Sequence, residues 1–444
     1  MGDLGTFSFP SGFLWGVSTS AYQIEGAVGA DGRGRSVWDA FCDEPGRIAD
    51  GSSGAVACDH YRRYAEDVAL LAGLGVGAYR FSVAWPRIQP DGTGPAHPAG
   101  IAFYDRLIDS LLAAGVDPVC TIYHWDTPQA IEDAGGWLAR DTAARFADYT
   151  ALLAERFADR VAMWIPLNEP VVETLYGYGI GEYAPGKAML FDALPAAHHQ
   201  NLAHGLAVRA LRAAGARSIG TANNHSPVWP RSVSEQDRAA GDALDALLNW
   251  LYADPVLLGT YPEAMHPYLP DGFAGDLPVI AAPLDFYGVN YYEPQAVAAP
   301  SPGNPLPFDL LPVEGYPTTT NDSPIVPAGL HEFLQALRDR MGEHLPPLYV
   351  TENGCSGDDE VDDRGEVHDP DRIAYLTEHL AALATAVADG VDVRGYFVWS
   401  LLDNFEWSKG YRPRFGLVHV DYAAQTRTPK DSYRWYQSVI GRQA

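Results

Sequence analysis

The chain has 444 residues, 47 % of them hydrophobic and 20 % charged, which is ordinary for a globular protein with a substantial core. Its net charge is −27, from 57 acidic against 30 basic residues. That balance excludes a nucleic-acid partner, because neutralising phosphates needs clustered Lys and Arg.

Apolar runs of strand length alternate with amphipathic segments along the chain. Phe13 to Val17 reads as the first strand. Tyr61 to Leu74 follows at helical spacing and stops before Gly75. Ala78 to Val83 is the second strand, and Ile101 to Ala114 a helix that stops before Gly115. Pro118 to Tyr123 is the third strand. Asp141 to Phe157 reads as a helix that begins at an N-cap. Val161 to Leu167, Ser218 to Ala222 and Phe286 to Asn290 are strands four to six. Leu348 to Thr351 is the seventh. Asp369 then caps a helix from Asp371 to Asp389, with Pro370 at its first position and Gly390 at its close. Gly395 to Trp399 is the eighth strand. Their near-continuous apolarity suits strands covered on both faces. Eight such units predict an α/β fold, one single-domain (β/α)8 barrel over residues 1–444. The surplus over the roughly 250 residues typical of that fold falls in long βα loops, notably the Pro- and Gly-rich stretch from Glu293 to Thr320.

Other features narrow the chemistry. The lysines Lys187, Lys409 and Lys430 stand away from the ends of strand-like runs, which counts against Schiff-base chemistry. Cys42, Cys58, Cys120 and Cys355 form no CxxC pair, against a zinc site, a thioredoxin-like motif or a disulfide scaffold. His198, His199 and His204 lack the HExxH pattern and read as structural or surface residues. The acidic run Asp358 to Asp363 lacks EF-hand spacing and reads as a solvated loop. Gly73 to Gly77 precedes a strand where a phosphate loop would follow one. No run reaches membrane-span length, and the first residues show no basic region followed by an apolar one, so a cytoplasmic protein without membrane or metal is expected. The sequence carries no signal for an oligomeric state.

Polar motifs gather at the ends of the predicted strands. They are Ser18 to Gly26 after the first, Tyr79-Arg80 to Trp85 at the second and Tyr123-His124-Trp125-Asp126 at the third. Asn168-Glu169-Pro170 ends the fourth, Asn290-Tyr291-Tyr292 the sixth, Thr351-Glu352-Asn353-Gly354 the seventh, and Trp399 to Trp407 the eighth. Singly, each has an ordinary reading: Asn-Glu-Pro as a turn, His124 as a core histidine, Arg80 as a structural ion pair, the tryptophans as packing. Jointly, seven motifs fall on the face where barrel enzymes keep their active sites. A carboxylate at the mouth of a buried strand is costly and usually has a job. Glu169 and Glu352 can face each other if the strands share a closed sheet. That is the arrangement glycoside hydrolysis needs: one carboxyl to protonate the leaving oxygen, one to attack the anomeric carbon. The aromatic content of 11 %, with 11 Trp and 24 Tyr, suits stacking on sugars, although a large core also holds many aromatics.

At these residues the chain resembles glycoside hydrolase family 1, the β-glucosidase family. The likeness runs from Phe9-Pro10 and Phe13-Leu-Trp-Gly16 to Pro429-Lys-Asp-Ser432. It implies that Glu169 is the acid/base and Glu352 the nucleophile of a retaining β-glucosidase, without cofactor. Gln23, His124, Trp125, Asn168, Glu406 and Trp407 would bind hydroxyls of a small β-glucoside, with Trp399 as the stacking platform. Arg80, Asn290 and Tyr292 would hold and tune the nucleophile and the sugar site around it. Galactosides or fucosides are implied side substrates. Transfer to an alcohol uses the same intermediate, and a catalytically silent sugar-binding barrel is the remote alternative. Glu406 stands where 6-phosphoglycosidases of the family carry Ser, and a carboxylate there would repel a phosphate.

The sequence departs from the family pattern in three places. Val171 follows Asn-Glu-Pro where many members have Trp. Ser323, before Pro324-Ile-Val-Pro327, stands where many have another Trp. Pro166 replaces a common Thr. The first two imply a wider aglycone site, suited to a bulky aglycone over cellobiose.

Overall fold

The computed structural model describes residues 7–443. Eight short parallel strands form one sheet: β1 (Leu14–Ser18), β2 (Ala78–Ser82), β3 (Asp117–Tyr123), β4 (Met163–Leu167), β5 (Ala222–His225), β6 (Tyr287–Tyr291), β7 (Leu348–Asn353) and β8 (Val393–Trp399). Their order is β4-β3-β2-β1-β8-β7-β6-β5. Parallel bridges from Trp164 to Ile219 and from Asn168 to Ala222 join β4 to the β5 segment and close the ring. This is the (β/α)8 barrel that the sequence predicts.

A helix follows each strand: α1 (His60–Leu74), α2 (Pro98–Ala113), α3 (Asp141–Phe157) and α4 (Leu194–Ala213). α5 runs through Glu235–Asp245, a π-helical stretch Ala246–Trp250 and Leu251–Leu257. α6 (Pro327–Met341), α7 (Pro370–Ala388) and α8 (Asp431–Gln443) complete the ring. Among the described residues no helix is long and apolar enough to cross a membrane.

Period-two alternation places the pocket. On β2, Tyr79 and Phe81 face the helices, while Ala78 joins a small apolar cluster inside the barrel with Val119, Met163, Ile165 and Phe397. Arg80 lies on Ala78's face, one layer above that apolar floor. Trp399 stands above Phe397 by the same rule. On β7 the pairing with β6 shifts register between Val350 and Glu352. Such an irregularity re-aims a side chain, and here it brings Glu352 inward.

Several expectations need correction. The fifth strand is offset from Ser218–Ala222: residues 218–222 pair with β4, and the regular strand continues as Ala222–His225 beside β6. The stretch from Glu293 to Thr320 is not bare loop. Gln295–Ala298 and Asp309–Leu311 form a three-stranded sheet with Val228–Pro230. Asp141 is the first helical residue of α3, and the cap position falls to Arg140. Asp369 occupies the cap position of α7, but its carboxylate is spent on Arg372 and on the backbone and side chain of Ser432. The acidic run is not wholly solvated: Asp359 is buried and paired with Arg372 and Lys430. His198, His199 and His204 are all buried, hence structural.

Candidate active site

The strand ends converge on a pocket of about 200 Å³. Glu169, Glu352 and Glu406 line it, with His124, Trp125, Tyr292, Trp399 and Trp407. Asn168, Arg80 and Gln23 lie fully buried just behind this wall.

Arg80 organises the floor. Its Nη1 donates to Glu352 Oε1 at 2.5 Å and to the Thr351 carbonyl at 3.2 Å. Its Nε donates to Thr121 Oγ1 at 3.0 Å, and its Nη2 to Asn168 Oδ1. Tyr292 donates its hydroxyl to the other oxygen of Glu352 at 2.8 Å. Glu352 is thus gripped from two sides. Asn290 reaches across: its Nδ2 donates to Glu169 Oε1 at 2.9 Å and to Asn168 Oδ1 at 3.1 Å, while Thr351 Oγ1 fixes its carbonyl at 2.6 Å. Asn224 adds a second amide to Glu169 Oε1 at 3.2 Å.

These contacts divide the two carboxyls electrostatically. Burial first, and the charge on Glu352 second, push the Glu169 carboxyl up to about 8. Burial also raises Glu352, but Arg80 opposes the rise through charge and hydrogen bond, and Tyr292 assists. Arg80 is ion-paired to Glu352 and makes no such pair with Glu169. The negative charge of the pair therefore resides on Glu352 and the proton on Glu169. Burial first, then the charge on Glu352, push the Glu406 carboxyl up to about 8 as well.

The residues that the family resemblance assigns to the sugar gather in or directly behind the same pocket wall. Asn168 Oδ1 accepts from Arg80 and Asn290, which fixes its amide orientation. Its Nδ2 then donates to His124 Nε2 at 3.1 Å, leaving the imidazole proton on Nδ1. Burial, then the Arg80 cation, keep that ring neutral. The buried Nδ1–H has no protein acceptor. At the pocket wall such a donor is open to a ligand hydroxyl or a water. Gln23 donates to Glu406 Oε2 at 3.3 Å, to Asn404 Oδ1 and to the Phe405 carbonyl. Trp399 lies parallel to His124, ring centres 5.9 Å apart, and Trp407 packs on Trp38 and Trp125. Trp125 gives its indole N–H to the Asn168 carbonyl at 2.9 Å, so it presents a ring face where a hydroxyl donor was expected. Gly354 has to be glycine: a Cβ there would meet the Trp399 carbonyl oxygen at 1.8 Å.

Ser323 lines the rim. Val171 does not line this pocket. It is buried in the wall of an adjoining apolar cavity, and its neighbour Val172 touches both. Sequence reasoning missed Asn224. The motif Asn223-Asn224-His225 ends β5, and extending that strand by three residues would have found it. Three pocket residues hold left-handed backbone without being glycine, Trp125 (φ 70°), Glu169 (φ 43°) and Trp407 (φ 49°). Such strain costs of order 1–3 kcal/mol per residue and gathers at functional sites. Nothing in the composition announces it.

Comparison with known proteins agrees with this geometry. The model of Glycosyl hydrolase family 1 matches residues 6–444. Thermostable beta-glucosidase B of Thermobispora bispora is 49 % identical, the match covering 99 % of this chain and 92 % of that protein. Beta-glucosidase A of Thermotoga maritima is 44 % identical over 97 % of each. The solved structure of the family 1 β-glucosidase from Thermotoga maritima superposes with a TM-score of 0.95, at 42 % identity over 99 % of each chain. The same enzyme in complex with deoxynojirimycin gives 0.93, at 42 % identity over 99 % of this chain and 100 % of that one. The chain belongs to glycosyl hydrolase family 1.

Proposed function

We propose that this protein is a retaining β-glucosidase that releases terminal β-D-glucosyl residues through a covalent glycosyl-enzyme. The observation that carries the reading is the one-sided pairing of Arg80 with Glu352, which leaves Glu169 as the protonated partner. In the first step a Glu352 oxygen attacks the anomeric carbon. The glycosidic C–O bond breaks, and the leaving oxygen takes the Glu169 proton. Esterification then removes the Glu352 charge. One cause of Glu169's raised pKa disappears with it, and Glu169 becomes a base. It takes a proton from water, the hydroxyl attacks the same carbon, and Glu352 leaves as carboxylate.

His124 Nδ1–H, the second Nδ2–H of Asn168 and the Glu406 carboxyl are the polar groups offered to glucose hydroxyls, and Trp399 is the apolar platform. The relatives named β-glucosidases supply the choice of sugar. The reading takes residues 1–444 as one domain. It also takes a cytoplasmic setting, in keeping with four unpaired cysteines.

The test is proton NMR of the anomer released from an aryl β-D-glucoside. β-Glucose appearing first supports double displacement. α-Glucose first would remove Glu352 from the nucleophile's role.

A further inference from the structure

Beside the catalytic pocket lies a second cavity of about 290 Å³. The two share a wall, for Val172, Tyr176, Asn224, Ser226 and Gln295 line both. Asn224 also donates to Glu169, so the doorway between them adjoins the carboxyl that would protonate a leaving group. Beyond the doorway the lining turns aliphatic, with Val171, Leu175, Leu194, Leu244, Leu247 and Leu248. The two π-helical stretches of the described residues both contribute to it: Glu173–Gly179 brings Leu175, and Ala246–Trp250 brings Leu247 and Leu248. π-Helical turns recur where a binding site needs a displaced side chain. At the rim Ile180, Leu190 and Leu310 are 45 %, 39 % and 57 % exposed. An apolar patch of this kind, continuous with a reactive pocket, marks a place for a ligand.

We infer that this cavity seats the aglycone of the substrate, and that the aglycone it takes is uncharged and aliphatic: an alkyl chain or a saturated ring system carried on the glycosidic oxygen. The inference rests on the β-glucosidase reading and adds the substrate class to it. A second sugar would set its hydroxyls against leucines with nothing to bond. Tyr176, Phe191 and Phe308 also line the cavity, but most of its wall is branched aliphatic, which packs around an alkyl chain or saturated ring more fully than on a flat aryl face. Glu182 on the lining disfavours an anionic group. The polar atoms sit at the doorway, where the glycosidic oxygen must lie.

The test compares kcat/KM for methyl, butyl and octyl β-D-glucosides and for cellobiose, all below micellar concentrations. Each buried methylene is worth roughly a threefold to fourfold gain, so the octyl-to-methyl ratio is expected to exceed about tenfold even with partial burial. Ile180→Asp and Leu310→Asp at the rim are expected to cut that ratio at least about fivefold. A flat chain-length series, or a preference for cellobiose, overturns the inference and leaves the β-glucosidase reading standing. No turnover of any β-glucoside overturns both. Sedimentation of the wild type and both variants adds a third outcome. If the substitutions turn a dimer into a monomer and leave the ratio unchanged, the rim is a self-association surface and the inference fails.

Discussion

Two buried ionic clusters lie at the same end of the barrel, and they are built on opposite principles. Behind the pocket, Asp359, Asp369 and Asp403 meet Arg372, Arg414 and Lys430. Lys430 Nζ bonds Asp403 at 2.7 Å and Asp359 at 2.5 Å, Arg414 bonds Asp403 at 2.7 Å, and Arg372 joins Asp359 and Asp369. Three acids face three bases. Burial raises Asp369 despite Arg372, but Asp403, which burial alone would also raise, is held below its ordinary range by Lys430 and Arg414. In the pocket, Glu169, Glu352 and Glu406 share one paired cation among the described residues, Arg80. There the carboxyls go up, Glu169 and Glu406 to about 8. Charge balance makes a buried cluster a scaffold, whereas a deficit of cations makes proton donors that work at neutral pH.

Breaking the unbalanced cluster at its charged member should have the largest effect. Glu352→Gln removes the attacking oxygen anion and keeps the volume. Hydrolysis of an aryl β-glucoside is expected to fall by roughly 10⁴-fold or more, measured as kcat against wild type with matched melting curves. A variant within tenfold of wild type would mean that another group attacks.

The balanced cluster should respond in stability instead. Lys430 is fully buried, and Lys430→Met leaves Asp359 and Asp403 short of one cation. Removing one partner of a buried ion network costs about 3–5 kcal/mol, here read by denaturant unfolding, with the pH–rate profile unmoved. Arg80→Met should do the reverse in kind. It strips Glu352 of its cation, so kcat/KM should drop by roughly 10²- to 10³-fold and the acid limb of the profile should move up in pH. If the lysine variant moved the profile, or the arginine variant left it in place, the contrast between the clusters would collapse.

The barrel was legible because its strands are buried on both faces and so read as continuous apolar runs. The pocket was legible for the related reason that polar residues interrupt those runs where the strands end. Both signals fail where a strand is itself polar. β5 ends Asn223-Asn224-His225, its apolar part stops at Ala222, and the Asn224 contact to Glu169 went with it. Long-range pairing is equally silent. Asp359 sits in an acidic run that reads as solvated, and only the fold brings Arg372 and Lys430 to it. The apolar cavity draws on segments as far apart as Val171 and Leu310, none of which carries its pattern alone. Val171, expected to widen the aglycone site, lines the neighbouring cavity and not the catalytic pocket, a placement no local pattern carries.

The smallest effect tests the comparison most closely, because it asks which raised carboxyl is the working acid. Burial and the Glu352 charge favour the neutral form of Glu169, so it keeps its proton until pH rises through about 8. Above the acid limb set by Glu352 the rate should hold until that value and fall beyond it, giving an alkaline limb near 8 in kcat/KM for an aryl glucoside. The linked stability has the same sign. An unfolded glutamate titrates near 4.3, so Glu169's contribution is complete below that pH and is lost as pH climbs to about 8. Glu406 is raised to the same value, and a single profile cannot separate the two. Glu169→Gln with a 2,4-dinitrophenyl glucoside can. That leaving group departs without a proton, so glycosylation survives the substitution. In pre-steady-state measurements of that step the alkaline limb should vanish. A limb that persisted near 8 would make Glu406 the titrating group, its neutral carboxyl needed to hold the sugar, and would leave the acid unassigned.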